Sequence, residues 1–171
     1  MSFFQRIFGE KQQRAPLQPL YRAIVAKGRE PGWYREGQVP DTLDGRFDMI
    51  AAILSLVLLR LEQDGEAARD QTVLLTEIFI KDMDATLRQL GVGDYVVGKH
   101  VGRMMGALGG RLTALRAGRT EGSLDAAVAR NIFHDAPPSE AALAFVAGGL
   151  AHYAAALDAM PVEDVLAGRL P

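Results

Sequence analysis

Apolar residues recur along this chain at helical spacing, and the recurrences separate into successive candidate helices. Leu17, Leu20, Tyr21, Ile24 and Val25 share one face, and Gly28 is a plausible stop. Pro31-Gly32-Trp33-Tyr34 and Gly37-Gln38-Val39-Pro40 read as an irregular connection holding the only tryptophan. Asp41 or Thr42 then caps a helix to about Glu62, with Asp44 in its first turn where the helix dipole favours an acid. Met49 to Leu59 is apolar except for Ser55, and Asp48 and Arg60 close the run. A bilayer span needs about 20 such residues, so this run predicts a buried central helix.

Asp64-Gly65 marks a turn, and the next helix spans roughly 66–90 with Leu74, Leu75, Ile78, Phe79, Met83, Leu87 and Leu90 inward. Asp82 falls at the edge of that face and calls for a cationic or N–H partner, because unpaired burial is costly. Asp84 and Arg88 form an i, i+4 pair on the other side. Gly91 and Gly93 permit a reversal, and Asp94 suits the N-cap of the following helix. Val97, Val101, Met104, Met105, Leu108, Leu112 and Leu115 supply its apolar face. On its i±4 row lie Gly98, Gly102, Gly106 and Gly110, continued by Ala114. Interior glycines cost about 1 kcal/mol each relative to alanine, so four in register ask for a reason. Close approach of another helix is the leading one; access of a ligand or partner to open backbone is the second. Ser123 suits the start of a helix including Leu124, Val128, Ile132 and Phe133. Pro137-Pro138 breaks the chain, Ser139 and Glu140 start an alanine-rich helix over 141–156, and Pro161 opens a last short one. No strand-like alternation stands out. The expectation is all-α: a single domain of about six to eight helices over 17–171, after an N-terminal segment and linker at 1–16.

In that N-terminal segment Phe3, Phe4, Ile7 and Phe8 fall on one face if it is helical, with Arg6 and Lys11 elsewhere. It suits either packing on the core or a partner, or lying on an anionic membrane surface. It lacks the apolar core and cleavage site of a secretory signal, which favours a soluble, cytoplasmic protein.

Charge sharpens the picture locally rather than globally. The net charge is −2, giving no reason to expect a nucleic-acid partner. Residues 1–30 carry a net of +4, residues 94–120 again +4, and residues 121–171 a net of −5. Lys99 and Arg103, one turn apart beside the glycine row, make a cationic ridge that is either a solvated face or a binding site.

Candidate chemistry is sparse. The chain has no cysteine, which excludes disulfides, thiol catalysis and cysteine-bound metal. His100, His134 and His152 are far apart in sequence, and no His-Glu-x-x-His occurs. His134-Asp135 matches the paired metal ligands of some helical hydrolases but has no supporting histidines. There is no nucleophile elbow and no phosphate-binding loop, and Asp82 and Asp84 face different ways. Neither an enzyme nor a bound metal or cofactor is expected.

Two segments together resemble a known family. Tyr34 followed by Val39-Pro40-Asp41-Thr42-Leu43-Asp44-Gly45-Arg46-Phe47-Asp48 is similar to the signature of the ubiquinol–cytochrome c chaperone family. Asp82-Met83-Asp84, Leu87-Arg88, Gly91-Val92-Gly93-Asp94 and Val97-Gly98-Lys99 resemble its second signature. Leu20-Tyr21 upstream and Arg130-Asn131 downstream extend the similarity over about residues 17–133. The resemblance implies a non-enzymatic assembly factor for the cytochrome bc1 complex (respiratory complex III). Its partners would be newly made cytochrome b or other bc1 subunits, met near the ribosome exit and the membrane. The short N-terminus suggests a bacterial-type member at the inner face of the cytoplasmic membrane. Partner-binding residues are expected among Gly98, Lys99, Gly102, Arg103, Gly106, Phe3, Phe4, Ile7 and Phe8, and Arg46 is expected to support them, paired with Asp82. The alternatives are a helical lipid- or small-molecule-binding domain using a cleft beside the glycine row, and a metal-dependent helical hydrolase.

Overall fold

A computed structural model describes residues 15–89, 91, 94–134 and 136–171; the side chains of 15, 94–97, 100 and 101 are not described. The described residues are all-α and contain no strand. After a 3₁₀ turn at Ala15–Leu17 come α1 (Gln18–Gly28), α2 (Pro31–Arg35), α3 (Leu43–Glu62) and a 3₁₀ turn, Gly65–Ala68. Then follow α4 (Arg69–Gln89), α5 (Asp94–Glu121), α6 (Asp125–Val128) with a π-helical turn at Ala129–Phe133, α7 (Glu140–Asp158) and α8 (Val162–Leu166).

The near-continuous apolar run makes α3 the axis of the fold. Met49, Ile53, Leu54, Leu56, Val57 and Leu61 are fully buried, and α1, α4, α5, α7 and the π turn all pack around them. Thr42 caps α3, its hydroxyl accepting from the Gly45 N–H at 3.1 Å. Asp41, the other candidate cap, is exposed and paired with Arg46 at 2.6 Å. Gly28 ends α1 as expected, but its position also carries the crossing with α3: a Cβ there would lie 2.8 Å from the Ile50 Cα. Gly65 and Gly91 sit in turns at φ +59° and +81°, where glycine avoids strain.

Three expectations are corrected. Residues 31–35 form a short helix rather than an irregular link: Pro31 opens it with a preset φ, and Trp33 and Tyr34 lie on it. The Trp33 indole N–H donates to the Lys27 carbonyl at 2.8 Å and the Tyr34 hydroxyl to the Gly28 carbonyl at 2.7 Å. Tyr34 thereby satisfies a carbonyl left over at the end of α1, and Trp33 adds a second donor to one that the Glu30 N–H also reaches. Arg60, read as a polar end to the apolar run, is instead buried. Its guanidinium donates to the Leu157 and Met160 carbonyls at 3.1 and 2.9 Å and to Asp64, fastening the C-terminal end of α7 to α3. Met105, expected inward, is exposed, while Leu108 and Leu115 are buried and Met104 and Leu112 pack partly against the core.

The α7 helix is long and apolar enough to cross a membrane by length and composition, yet only 39 % of its apolar window is buried. Val146, Leu150, Tyr153 and Leu157 form the buried stripe, and Ser139 caps its N-terminus by accepting from the Ala142 N–H at 3.2 Å. Phe145 is its exposed large apolar residue.

Candidate functional site

The i±4 glycine row lies on the outward side of α5, opposite Leu108, Arg111 and Leu115. At Gly98, Gly102, Gly106 and Gly110 an added Cβ would meet nothing within 4 Å. This overturns the leading expectation for the row: among the described residues no neighbouring helix approaches it, and none of them covers the glycine backbone. Lys99 and Arg103 are exposed beside the row, and Met105 adds an apolar side chain. Five residues of one face therefore combine a smooth backbone strip, two cations and one thioether: Gly98, Lys99, Gly102, Arg103 and Met105. Such a strip suits close packing of a partner helix, because small residues let backbones approach. Phe3, Phe4, Ile7, Phe8 and Gly93 lie outside the described residues. Asp94 opens α5, but its side chain is not described.

Beneath this surface, the opposite face of α5 carries a buried ionic cluster that the sequence reading did not assemble. Asp48 of α3 and Arg111 of α5 are paired and nearly inaccessible. Arg111 also donates to the Asn131 carbonyl at 3.1 Å. His134 completes the arrangement, with Nε2 2.7 Å from the second Asp48 oxygen. Both carboxylate oxygens of Asp48 are thus engaged, one by a guanidinium and one by an imidazole. The Arg111 guanidinium stands 5.3 Å from the Phe47 ring, and Phe47 stacks on Phe79 of α4 with centroids 5.6 Å apart. Its Nε and Nη1 are buried without a hydrogen-bond partner. Burial pushes the Arg111 guanidinium down to about 10, which still leaves it a cation at neutral pH. The π turn, in which Asn131 also donates to the Ala127 carbonyl at 2.8 Å, delivers His134 at φ +51° with its ring on Asp48.

A sequence signal for this cluster existed. Arg111 lies three after Leu108 and four before Leu115, in the middle of the inward face of α5. By charge alone it belongs with the basic residues of 94–120. The cluster also reassigns His134, whose ring meets Asp48, a residue 86 positions away. Among the described residues, no group of three His, Asp or Glu side chains is placed to hold a metal.

Several residues of the two signature segments hold the fold together. Pro40 and Gly45 meet so closely that any side chain at 45 would collide with the Pro40 carbonyl. The Arg46–Asp41 hydrogen bond holds the Asp41 carboxyl below its ordinary range. Arg46 therefore does not reach Asp82, correcting that expectation. Asp82 instead accepts from the Tyr21 hydroxyl at 2.7 Å, joining α4 to α1. A phenol O–H thus replaces the cation or N–H that the edge of the buried face called for. Burial, then the Asp82 hydrogen bond, raises the pKa of Tyr21. Asp84 accepts from Arg88 at 2.8 Å as their spacing predicted. Arg130 is exposed, as is Lys99.

A family model described as ubiquinol-cytochrome C chaperone matches residues 35–170. It therefore takes in the alanine-rich helix α7, on which the sequence shows no recognisable signature. No curated protein matches the chain. Among solved structures, the crystal structure of the Cbp3 homolog from Brucella abortus superimposes with a TM-score of 0.80 at 28% identity. That match covers 98% of this chain and 95% of the other. With the family model spanning most of its length, this chain belongs to the ubiquinol–cytochrome c chaperone family.

Proposed function

We propose that this protein is a non-enzymatic assembly chaperone for the cytochrome bc1 complex that receives newly made cytochrome b at the inner face of the cytoplasmic membrane. The observation that carries the client-facing assignment is the open glycine row. Four glycines keep helix backbone uncovered on one side of α5, at a cost of about 1 kcal/mol each relative to alanine. Among the described residues nothing offsets that cost, so contact with a partner supplies a reason for it. A hydrophobic client segment can lie against the strip, while Lys99 and Arg103 meet its acidic flanks or anionic lipid headgroups. The buried Asp48–Arg111–His134 cluster acts as a strut that fixes α5 on α3 and so holds the strip in place. Placement of the N-terminal aromatic segment on the membrane beside this face belongs to the same proposal.

The experiment is deletion of the gene followed by spectroscopy of the b- and c-type haems. Loss of bc1 absorbance, restored by the wild-type chain but not by a Lys99→Glu/Arg103→Glu variant, is the expected outcome. Unchanged bc1 levels in the deletion would sink the chaperone reading; full rescue by the variant would sink the assignment of the ridge.

A further inference from the structure

A groove of about 660 Å³ runs between the start of α4, the short helix α8 and the turn at Ala15–Leu17. Leu17 is buried at its edge, and Leu74 and Leu166 are partly buried against the core, so its floor is apolar and fixed. Val73 stands on the rim with 55 % of its surface exposed, more than any other large apolar side chain among the described residues. Asp70 and Glu77 add carboxylates, whereas the charge of Arg69 is met by Glu66 at 3.2 Å. The groove is thus an apolar bed with an acidic border, and it shares no residue with the glycine row or the Asp48 cluster.

The chain itself carries a segment of matching chemistry at the edge of this groove. The described residues begin at Ala15, and the next two, Pro16 and Leu17, already line the groove. Everything before them therefore leaves from the groove's own border. Phe3, Phe4, Ile7 and Phe8 recur there at helical spacing, and Arg6, Lys11 and Arg14 outweigh the single acid Glu10. Apolar surface thus faces apolar surface, and net positive charge faces carboxylates. Reach decides whether the two can meet. Residues 9–15 form the tether between the aromatic set and Pro16, and extended they span up to about 23 Å. The α4 border from Arg69 to Glu77 rises only about 12 Å, so the tether is long enough to lay the segment along the whole groove. A tether this short also gives a local concentration of millimolar order, at which a contact of modest intrinsic affinity stays formed.

We infer that this groove is the docking site of residues 3–8 of the same chain. Their apolar face lies on Val73, Leu74 and Leu166, and the cations of the segment meet Asp70 and Glu77. The inference goes beyond the function proposed above, because docking requires neither client nor membrane. It gives the aromatic face a place within the fold, from which a membrane surface would have to draw it.

The full chain has no cysteine, so Ser2→Cys carries a single nitroxide label beside the aromatic set. In a ¹H–¹⁵N spectrum the label should broaden the amides of Val73, Leu74 and Leu166 much more than those of Lys99 and Arg103, at the other end of the α4–α5 hairpin. Val73→Lys, on an exposed position, should lower the docking equilibrium about three- to tenfold. Phe4→Ser/Phe8→Ser should remove the broadening. Uniform or absent broadening at the groove, or broadening unchanged in either variant, would overturn the inference. So would equal broadening of unlabelled ¹⁵N chains mixed with labelled ones, which would make a second copy the occupant. Sedimentation with phosphatidylglycerol vesicles tests the membrane placement separately: groove broadening in a chain that binds no vesicles would support docking and overturn that placement alone.

Discussion

At the scale of single residues, the decisive groups are polar ones inside the core. Asp48 neutralises a guanidinium that is almost wholly buried and has two further nitrogens without partners. Asp48→Ala strands that charge in a medium that solvates it poorly, and loss of one member of a buried pair typically costs about 3–5 kcal/mol. Urea unfolding of Asp48→Ala should show a loss of this size, and Asp48→Ala/Arg111→Met should recover much of it. A loss below about 1 kcal/mol would mean that Arg111 is solvated in some other way. Tyr21 carries the corresponding pH effect. Its neutral phenol is favoured in the fold by burial and by the bond to Asp82, whereas an unfolded phenol ionises near 10. The folded state keeps a proton that the unfolded state releases, so this contribution is whole below pH 10 and declines above it. Chemical denaturation between pH 9 and 11 (about one unit either side of the free phenol) should show stability falling, with a shallower fall in Tyr21→Phe.

At the scale of elements, the glycines separate into those that the fold needs and those that it does not. Gly45 sits under the Pro40 carbonyl at the start of α3, where backbone, not a flexible side chain, occupies the space. Gly45→Ala should destabilise by about 1–3 kcal/mol or more. Gly102→Ala on open α5 should instead stabilise by up to about 1 kcal/mol. Thermal melts of the two variants should move in opposite directions; a destabilised Gly102→Ala would mean that the row is covered in solution. The same contrast shows what was legible in the chain. Helical periodicity locates α3, α4, α5 and α7 because their apolar stripes have the same period as the helix, and Thr42 and Ser139 are placed by cap chemistry. The glycine row was visible as a pattern, but its meaning depends on whether another helix stands opposite, which spacing cannot report. Arg60 is visible in the sequence only as a charge, and Arg111 only as a charge on the inward face of α5. Apart from Asp64, one turn beyond Arg60, their partners are brought from 20 to 100 positions away, a property of the tertiary fold rather than of any local pattern.

At the scale of the whole molecule, the sequence suggested segregated charge, with a basic α5 and an acidic C-terminal third. Folding cancels much of it: Arg111 pairs with Asp48, Arg116 with Glu62 at 2.6 Å, and Arg119 with Asp158. These contacts tie α5 to α3 and α7. The C-terminal layer depends on the other buried arginine. Arg60 holds the Leu157 and Met160 carbonyls and Asp64 together, where α3, α7 and the approach to α8 converge. Since less than half of the apolar window of α7 is buried, its position rests on one buried stripe, this fastening and the Arg119–Asp158 pair. Arg60→Ala removes the charged donor from three acceptors and should cost about 2–4 kcal/mol. Hydrogen exchange should localise the effect: amides of α7 and α8 should lose protection well before those of α1 and the first half of α3. Equal acceleration throughout would mean that the C-terminal layer unfolds only with the whole domain, and that Arg60 contributes to global stability rather than to holding α7 in place.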